Sequence, residues 1–235
     1  MSVRQLSAWG LDYVYAGVQQ ARSLTHRRSP ECFADGDPAL PAIVLLPGVY
    51  ETWLFLEPVA RRLNAGGFRV FTVPELSFNR MSIPRSAEIV ASVLNRLHRN
   101  HGTTEFVLVA HSKGGLIGKH LMLDHSDEES QQFDIRGLVA IATPFSGSHY
   151  AQFLPSRTLR AFSPRDSIVR ALLEQQQINE RIVSIYGEFD PHIPGGSGLD
   201  GAHNIELPLS GHFRILQSDL LIETVEREVT AFAHR

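Results

Sequence analysis

Phe106-Val107-Leu108-Val109-Ala110-His111-Ser112-Lys113-Gly114-Gly115-Leu116-Ile117-Gly118 is the stretch on which the architecture turns. Its apolar run Phe106–Ala110 suits a strand buried on both faces, and helical spacing takes over directly after Ser112. A serine on so sharp a turn needs small residues two positions away on either side, because strand and helix backbones nearly touch there. Ala110 and Gly114 meet that demand, and Gly118, one helical turn on, lets the helix stay close to the sheet. The expected product is an exposed hydroxyl at a helix N-terminus, where free N–H groups and the helix dipole favour developing negative charge.

On either side of this stretch, Ala42–Leu46, Phe68–Val73, Leu138–Ala142 and Ile182–Tyr186 read as further buried strands, with Asn204–Leu207 as a later one. Helical spacing marks residues 87–98, with Ser86 as N-cap, and residues 114–123, 166–177 and 219–232. Strands alternating with helices predict an α/β fold, a mostly parallel sheet with helices on both faces. Only residues 143–165 separate the strand after Ser112 from the next helix, which leaves room for a small or minimal cap. Residues 1–41 read as an amphipathic N-terminal helix and linker ahead of an α/β domain at 42–235. That helix, with Leu6, Trp9, Tyr13, Val14, Val18 and Ala21 at helical spacing, packs on the domain in one reading. In the other it makes weak peripheral contact with a membrane, since Trp9, Tyr13 and Tyr15 flank basic residues.

Composition narrows the classes. Charged residues make up 20% and the formal net charge is −3, which lacks the basic excess of a general nucleic-acid binder. No run approaches the ~20 apolar residues of a membrane span. Gly10 and Asp12 break what would be a signal-peptide core, so a cytoplasmic location is expected. The lone Cys32 rules out an internal disulfide and a cysteine-based zinc site. Against 20 arginines stand two lysines, Lys113 and Lys119, both in the short stretch after Ser112.

Ala110-His111-Ser112-Lys113-Gly114 resembles the nucleophile elbow of the α/β-hydrolase superfamily, in the variant of some bacterial lipases and esterases where alanine replaces the first glycine. Leu45-Leu46-Pro47-Gly48-Val49-Tyr50-Glu51-Thr52-Trp53 is similar to the family's oxyanion loop, with Pro47 at its usual histidine position. The resemblance implies a Ser112 nucleophile and backbone N–H donors from Lys113 and from Val49, with Tyr50 the alternative to Val49. It places the acid at Asp190 rather than Glu188, with Asp166 and Asp200 as distant alternatives, and the base at His212 in Gly-His-Phe-Arg-Ile-Leu. His192 could line the pocket near the acid, and His203 falls at the far end of a strand.

His111 is expected to pack or orient, and the Lys113 side chain to be a solvated or rim group. Tyr50, Trp53 and Phe145 are expected in the substrate pocket; Trp53, Phe55, Phe78, Phe145, Phe153 and Leu154 hint at an apolar acyl group or equally belong to the core. Thr143-Pro144-Phe145-Ser146-Gly147 resembles a pocket-lining loop of lipase-like hydrolases. The glycine-rich 195–201 reads as a flexible loop, and Asp124–Glu129 as a solvated acidic one. The implied activity is hydrolysis of a small-molecule carboxylic ester, with no cofactor and no metal. Thioesterase, amidase or acyltransferase chemistry uses the same residues, and a non-catalytic membrane-associated module is the alternative from another class.

Overall fold

The computed structural model describes residues 3–25, 29–125, 132–153 and 156–234. Arg27, Leu154 and the Ser126–Glu129 part of the acidic stretch lie outside them, as does the Leu6 side chain.

Among the described residues six strands form one parallel sheet: β1 (Ala42–Leu46), β2 (Val70–Thr72), β3 (Glu105–His111), β4 (Asp134–Ile141), β5 (Ile182–Phe189) and β6 (His203–Ser210). Their spatial order is β2-β1-β3-β4-β5-β6, so the winding reverses between β1 and β3. In open parallel sheets that reversal opens a crevice at the carboxyl ends of the strands. The helices are α1 (Val3–Thr25), α2 (Glu57–Ala65), α3 (Ile83–His101), α4 (Lys113–Asp124), α5 (Arg157–Arg160), α6 (Ser167–Glu174) and α7 (Asp219–Ala233).

The apolar runs bury both faces by the two-residue period of a strand. Val44, Leu46, Phe106, Leu108, Ala110, Leu138 and Ala140 face one layer, completed by α3, α4 and α6. Ile43, Leu45, Val107, Val109, Val139, Ile141, Val183 and Ile185 face the other, completed by α2 and α7.

Several boundaries differ from those read in the sequence. α3 begins at Ile83 after Ser82, and Ser86 lies inside it, fully buried, its Oγ donating to Asn79 Oδ1 at 3.3 Å. Pro84 in the first turn is the overlooked start signal. β4 extends back through polar Asp134 to Gly137, where charged side chains mask the apolar pattern. α6 stops at Glu174, and Asp166 caps its N-terminus by accepting from the Ile168 and Val169 amides. The loop at 195–201 is pinned rather than flexible: Ser184 Oγ donates to the Ser197 carbonyl at 2.7 Å, and Asn204 exchanges hydrogen bonds with Leu199.

The segment between β4 and α6 holds only a 3₁₀ turn at Ala151–Phe153 and the four-residue α5 as cap-like structure among the described residues. α1 lies against the 3₁₀ turns Trp53–Leu56 and Arg214–Gln217. Asp12 and Gln19 are buried on its inner side, while Trp9, Leu11, Tyr13, Val14, Val18 and Leu24 are exposed. No helix among the described residues is long and apolar enough to cross a membrane.

Candidate active site

Ser112 stands between β3 and α4 with φ 51° and ψ −118°, a backbone conformation that side chains rarely adopt. Its amide donates to the Ile141 carbonyl of the neighbouring strand, and the Ser112 carbonyl accepts from Thr143 Oγ1 at 3.0 Å. The turn is as tight as the sequence requires: a Cβ at Gly114 would lie 2.0 Å from the Leu46 carbonyl oxygen. One at Gly115 would lie 2.0 Å from Thr143 Oγ1, a constraint with no counterpart in the sequence pattern.

His212 follows β6 and brings its Nε2 to 2.9 Å from Ser112 Oγ. Its Nδ1 donates to Asp190 Oδ2 at 2.7 Å, and the other Asp190 oxygen accepts from the His192 and Ile193 amides. Three residues separated by up to 100 positions thus form one hydrogen-bonded line. Among the alternative acids, Glu188 is exposed, Asp166 is the α6 cap, and the exposed Asp200 offers its carbonyl to Asn179. His203 begins β6 and sits 3.4 Å from Glu228, away from this line.

Burial works against a charged His212. The Asp190 charge and hydrogen bond oppose it, with Glu51 and Asp12 adding to them, and the net effect raises His212 above the usual imidazole value of 6.5. For Asp190, burial likewise works against the charge, but His212 and the His192 amide outweigh it and hold the carboxyl below its ordinary 3.8. His192, 5.0 Å ring to ring from His212, is pushed down to about 4 by burial and then by the His212 charge.

The oxyanion-type loop follows β1. Tyr50 N–H is taken by the Phe78 carbonyl at 2.8 Å, whereas the Val49 and Lys113 N–H groups meet no backbone or side-chain acceptor among the described residues. Of the two candidates after Gly48, only Val49 keeps a donor to offer.

The Lys113 side chain departs from its expected place on a solvated rim. It is buried, and Nζ donates to the Asn79 carbonyl, Asn79 Oδ1 and the Met81 carbonyl. Asn79 in turn donates to the Pro47 carbonyl, so Lys113 ties residues 79–81 to the loop after β1. Phe145 is likewise in the core rather than on a cavity wall, 1% exposed with Lys119 Nζ 6.0 Å above its ring. Phe55 is also core.

Tyr50, Leu76, Phe78 and Met81 line a cavity of about 470 Å³ with Arg80 and Thr158, and Trp53 lines a second of about 190 Å³. Tyr50 Oη also meets Ser156 Oγ at 2.8 Å, which joins the loop to the cap segment. Phe153 is largely exposed on that segment.

Two groups about His212 were not assigned from the sequence. Glu51, 1% exposed, accepts from the Gly48 amide and from His111 Nδ1 at 2.8 Å, and His111 Nε2 reaches the His212 carbonyl at 3.0 Å. The one hint of this in the sequence is a carboxylate three residues after Gly48, with a histidine beside the serine. Asp12 is the other. It caps the His212 loop from α1, 200 residues away, a separation that no local pattern spans.

Residues 73–190, half of the chain, match the family described as alpha/beta hydrolase of unknown function (DUF915). The chain belongs to this family. The match includes Ser112 and Asp190 and stops before His212. No curated protein matches the sequence.

Among solved structures, this alpha/beta hydrolase is similar to the mature lipase BlEst2 of Bacillus licheniformis. The two share 16% identity at a TM-score of 0.64, over 83% of this chain and 94% of that one. A putative hydrolase from Agrobacterium vitis S4 is 17% identical at TM-score 0.61, over 85% and 90%. A chain of the metagenome-derived lipolytic enzymes LipS and LipT is 11% identical at TM-score 0.63, over 87% and 100%. Identities this low establish a shared fold.

Proposed function

We propose that this alpha/beta hydrolase is a serine hydrolase that cleaves carboxylic esters through an acyl-enzyme on Ser112. The observation that carries the reading is the line Ser112 Oγ–His212 Nε2, 2.9 Å, and His212 Nδ1–Asp190 Oδ2, 2.7 Å, at the strand-to-helix turn. Both are within proton-transfer reach, and Asp190 selects the tautomer that leaves Nε2 free to accept.

Ser112 Oγ attacks the ester carbonyl as His212 Nε2 takes its proton. The carbonyl oxygen becomes an oxyanion, held by the Val49 and Lys113 N–H groups. As it collapses, the alcohol leaves with the proton from His212. Water then attacks the acyl-Ser112, His212 accepts its proton and returns one to Ser112, and the carboxylic acid departs. Losing one such oxyanion donor typically costs ~10²–10³ in rate.

The cavity beside Tyr50, walled by Leu76, Phe78 and Met81 together with Ser77, Arg80 and Thr158, supports a substrate with an apolar acyl group next to a polar part. The lipase and lipolytic neighbours are consistent with that substrate class.

The test is labelling by a fluorophosphonate probe together with turnover of short and medium p-nitrophenyl esters. Wild type is expected to label at Ser112 and to turn over ester, and Ser112→Ala to do neither. A folded wild type that neither labels nor hydrolyses any ester of the series overturns the reading.

A further inference from the structure

Both loops that flank Ser112 are tied to one distant element. On the inner side of α1, Asp12 is fully buried, and its Oδ1 accepts from three successive amides: His212 at 3.0 Å, Phe213 at 2.9 Å and Arg214 at 2.8 Å. Gly211 makes room for this oxygen. Its φ is 114°, and a Cβ there would stand 2.7 Å from Asp12 Oδ1. Two to three helical turns further along α1, the Gln20 side-chain amide donates to the Tyr50 carbonyl, and Ser23 Oγ meets Thr52 Oγ1 at 2.7 Å. Arg22 pairs with Glu57 at 2.6 Å just beyond. One helix therefore spans from the loop that carries the base to the loop that carries the oxyanion donor.

We propose that α1 is part of the reaction machinery, with Asp12 a positioning residue that holds the His212 backbone in register with Ser112 while Gln20 and Ser23 hold the oxyanion loop. The inference rests on the serine-hydrolase reading above. Three charge-assisted hydrogen bonds to one oxygen fix a loop whose displacement by an ångström can cost about 10²-fold in rate.

Asp12 also acts through charge. Its Oδ2 has no hydrogen-bond partner among the described residues and lies 3.7 Å from His192 Nε2, which also has none. The groups that face His212 are Asp190 from the loop after β5, Glu51 from the oxyanion loop, Asp12 from α1, and the His111 and His192 rings at 4.8 and 5.0 Å. Against burial, which lowers it, Asp190, Glu51 and Asp12 each raise His212. Removing the Asp12 charge must therefore move His212 to a lower value.

Two variants separate position from charge. Asp12→Asn keeps an oxygen for the three amides and removes the charge, whereas Asp12→Ala removes both. Asp12→Ala is expected to lose roughly 10- to 100-fold in kcat/KM on p-nitrophenyl butyrate and in labelling rate, with the loss in kcat rather than KM. Asp12→Asn is expected to keep most of the plateau rate while its acidic limb, and the His212 imidazole titration by NMR, shift to lower pH. A folded Asp12→Ala with wild-type kcat/KM overturns the proposal, and an Asp12→Asn with an unmoved His212 titration removes the charge role from it. If Asp12→Ala does not fold, Asp12→Ser, whose side chain is too short to bridge the three amides, is read in its place by the same kcat/KM and labelling comparison. A wild type that does not label sinks the serine-hydrolase reading instead, and the NMR titration still reports whether Asp12 acts on His212.

Discussion

At the scale of single residues the site is an arrangement of charges taken out of water. Burial penalises the His212 imidazolium, and the Asp190 charge and hydrogen bond, with Glu51 and Asp12, together outweigh that penalty, so His212 is raised above 6.5. A base must be neutral to accept a proton, so a raised value costs activity at low pH. The profile of kcat/KM is expected to fall on the acid side with an apparent inflection above 6.5, belonging to the His212–Asp190 pair rather than to either group. In Asp190→Asn the attraction is gone, and the inflection is expected to move down while kcat drops by roughly 10³- to 10⁴-fold. Initial rates from pH 5 to 9 on both proteins measure it, and an acid limb that stays in place excludes Asp190 as the partner. The sequence made Ser112, Asp190 and His212 legible because each stands directly after a strand, and chain order supplied the rest. It could not show that Val49 rather than Tyr50 keeps a free N–H, since the competing acceptor, the Phe78 carbonyl, comes from another loop.

Elements set how closely those residues can approach. Helix α4 lies so near β1 that residue 114 has no room for a methyl group: its Cβ would sit 2.0 Å from the Leu46 carbonyl oxygen, and backbone cannot swing aside as a side chain can. Gly114→Ala is expected to push α4 off the sheet, destabilising the fold by about 1–3 kcal/mol or more and abolishing probe labelling even below the melting temperature. Thermal denaturation and labelling on the same sample check both, and a variant that labels at the wild-type rate removes the steric account of the elbow. The small residues were readable because a two-residue spacing about Ser112 is a local demand. By contrast, α3 starts several residues before the position its helical spacing predicts, because Ser86 has the chemistry of a cap but lies inside the helix, bonded to Asn79. Local propensity identifies residue types that can cap; packing selects the one that does.

For the molecule as a whole, the two lysines become intelligible only in three dimensions. Both are buried on α4, but Lys113 has three oxygen acceptors and Lys119 Nζ has none among the described residues. Burial pushes Lys119 down to about 8, so below that pH the folded state carries an unpaired buried ammonium, with the Phe145 ring as partial compensation. Replacing it by methionine is expected to stabilise the protein by roughly 1–3 kcal/mol at pH 7, a rise of several degrees in Tm. From pH 8 to 10.5 the unfolded chain holds the proton that the folded one has released, so wild-type stability rises with pH and the difference should narrow. Melting curves at pH 7 and 9.5 test this, and a variant less stable than wild type at pH 7 would mean that Lys119 has a favourable role in the core. The strand–helix alternation, the parallel sheet, the tight elbow and the order of the three segments that meet at Ser112 are all written in neighbours a few positions apart, and the amino-acid sequence alone was enough for them. What lies between those segments was settled by folding: the Asp12 brace from α1, the Glu51–His111 support beneath His212, and the burial of Lys113, Lys119 and Phe145. Those contacts join residues up to 202 positions apart, and their energies come from which groups the fold deprives of water rather than from any local pattern.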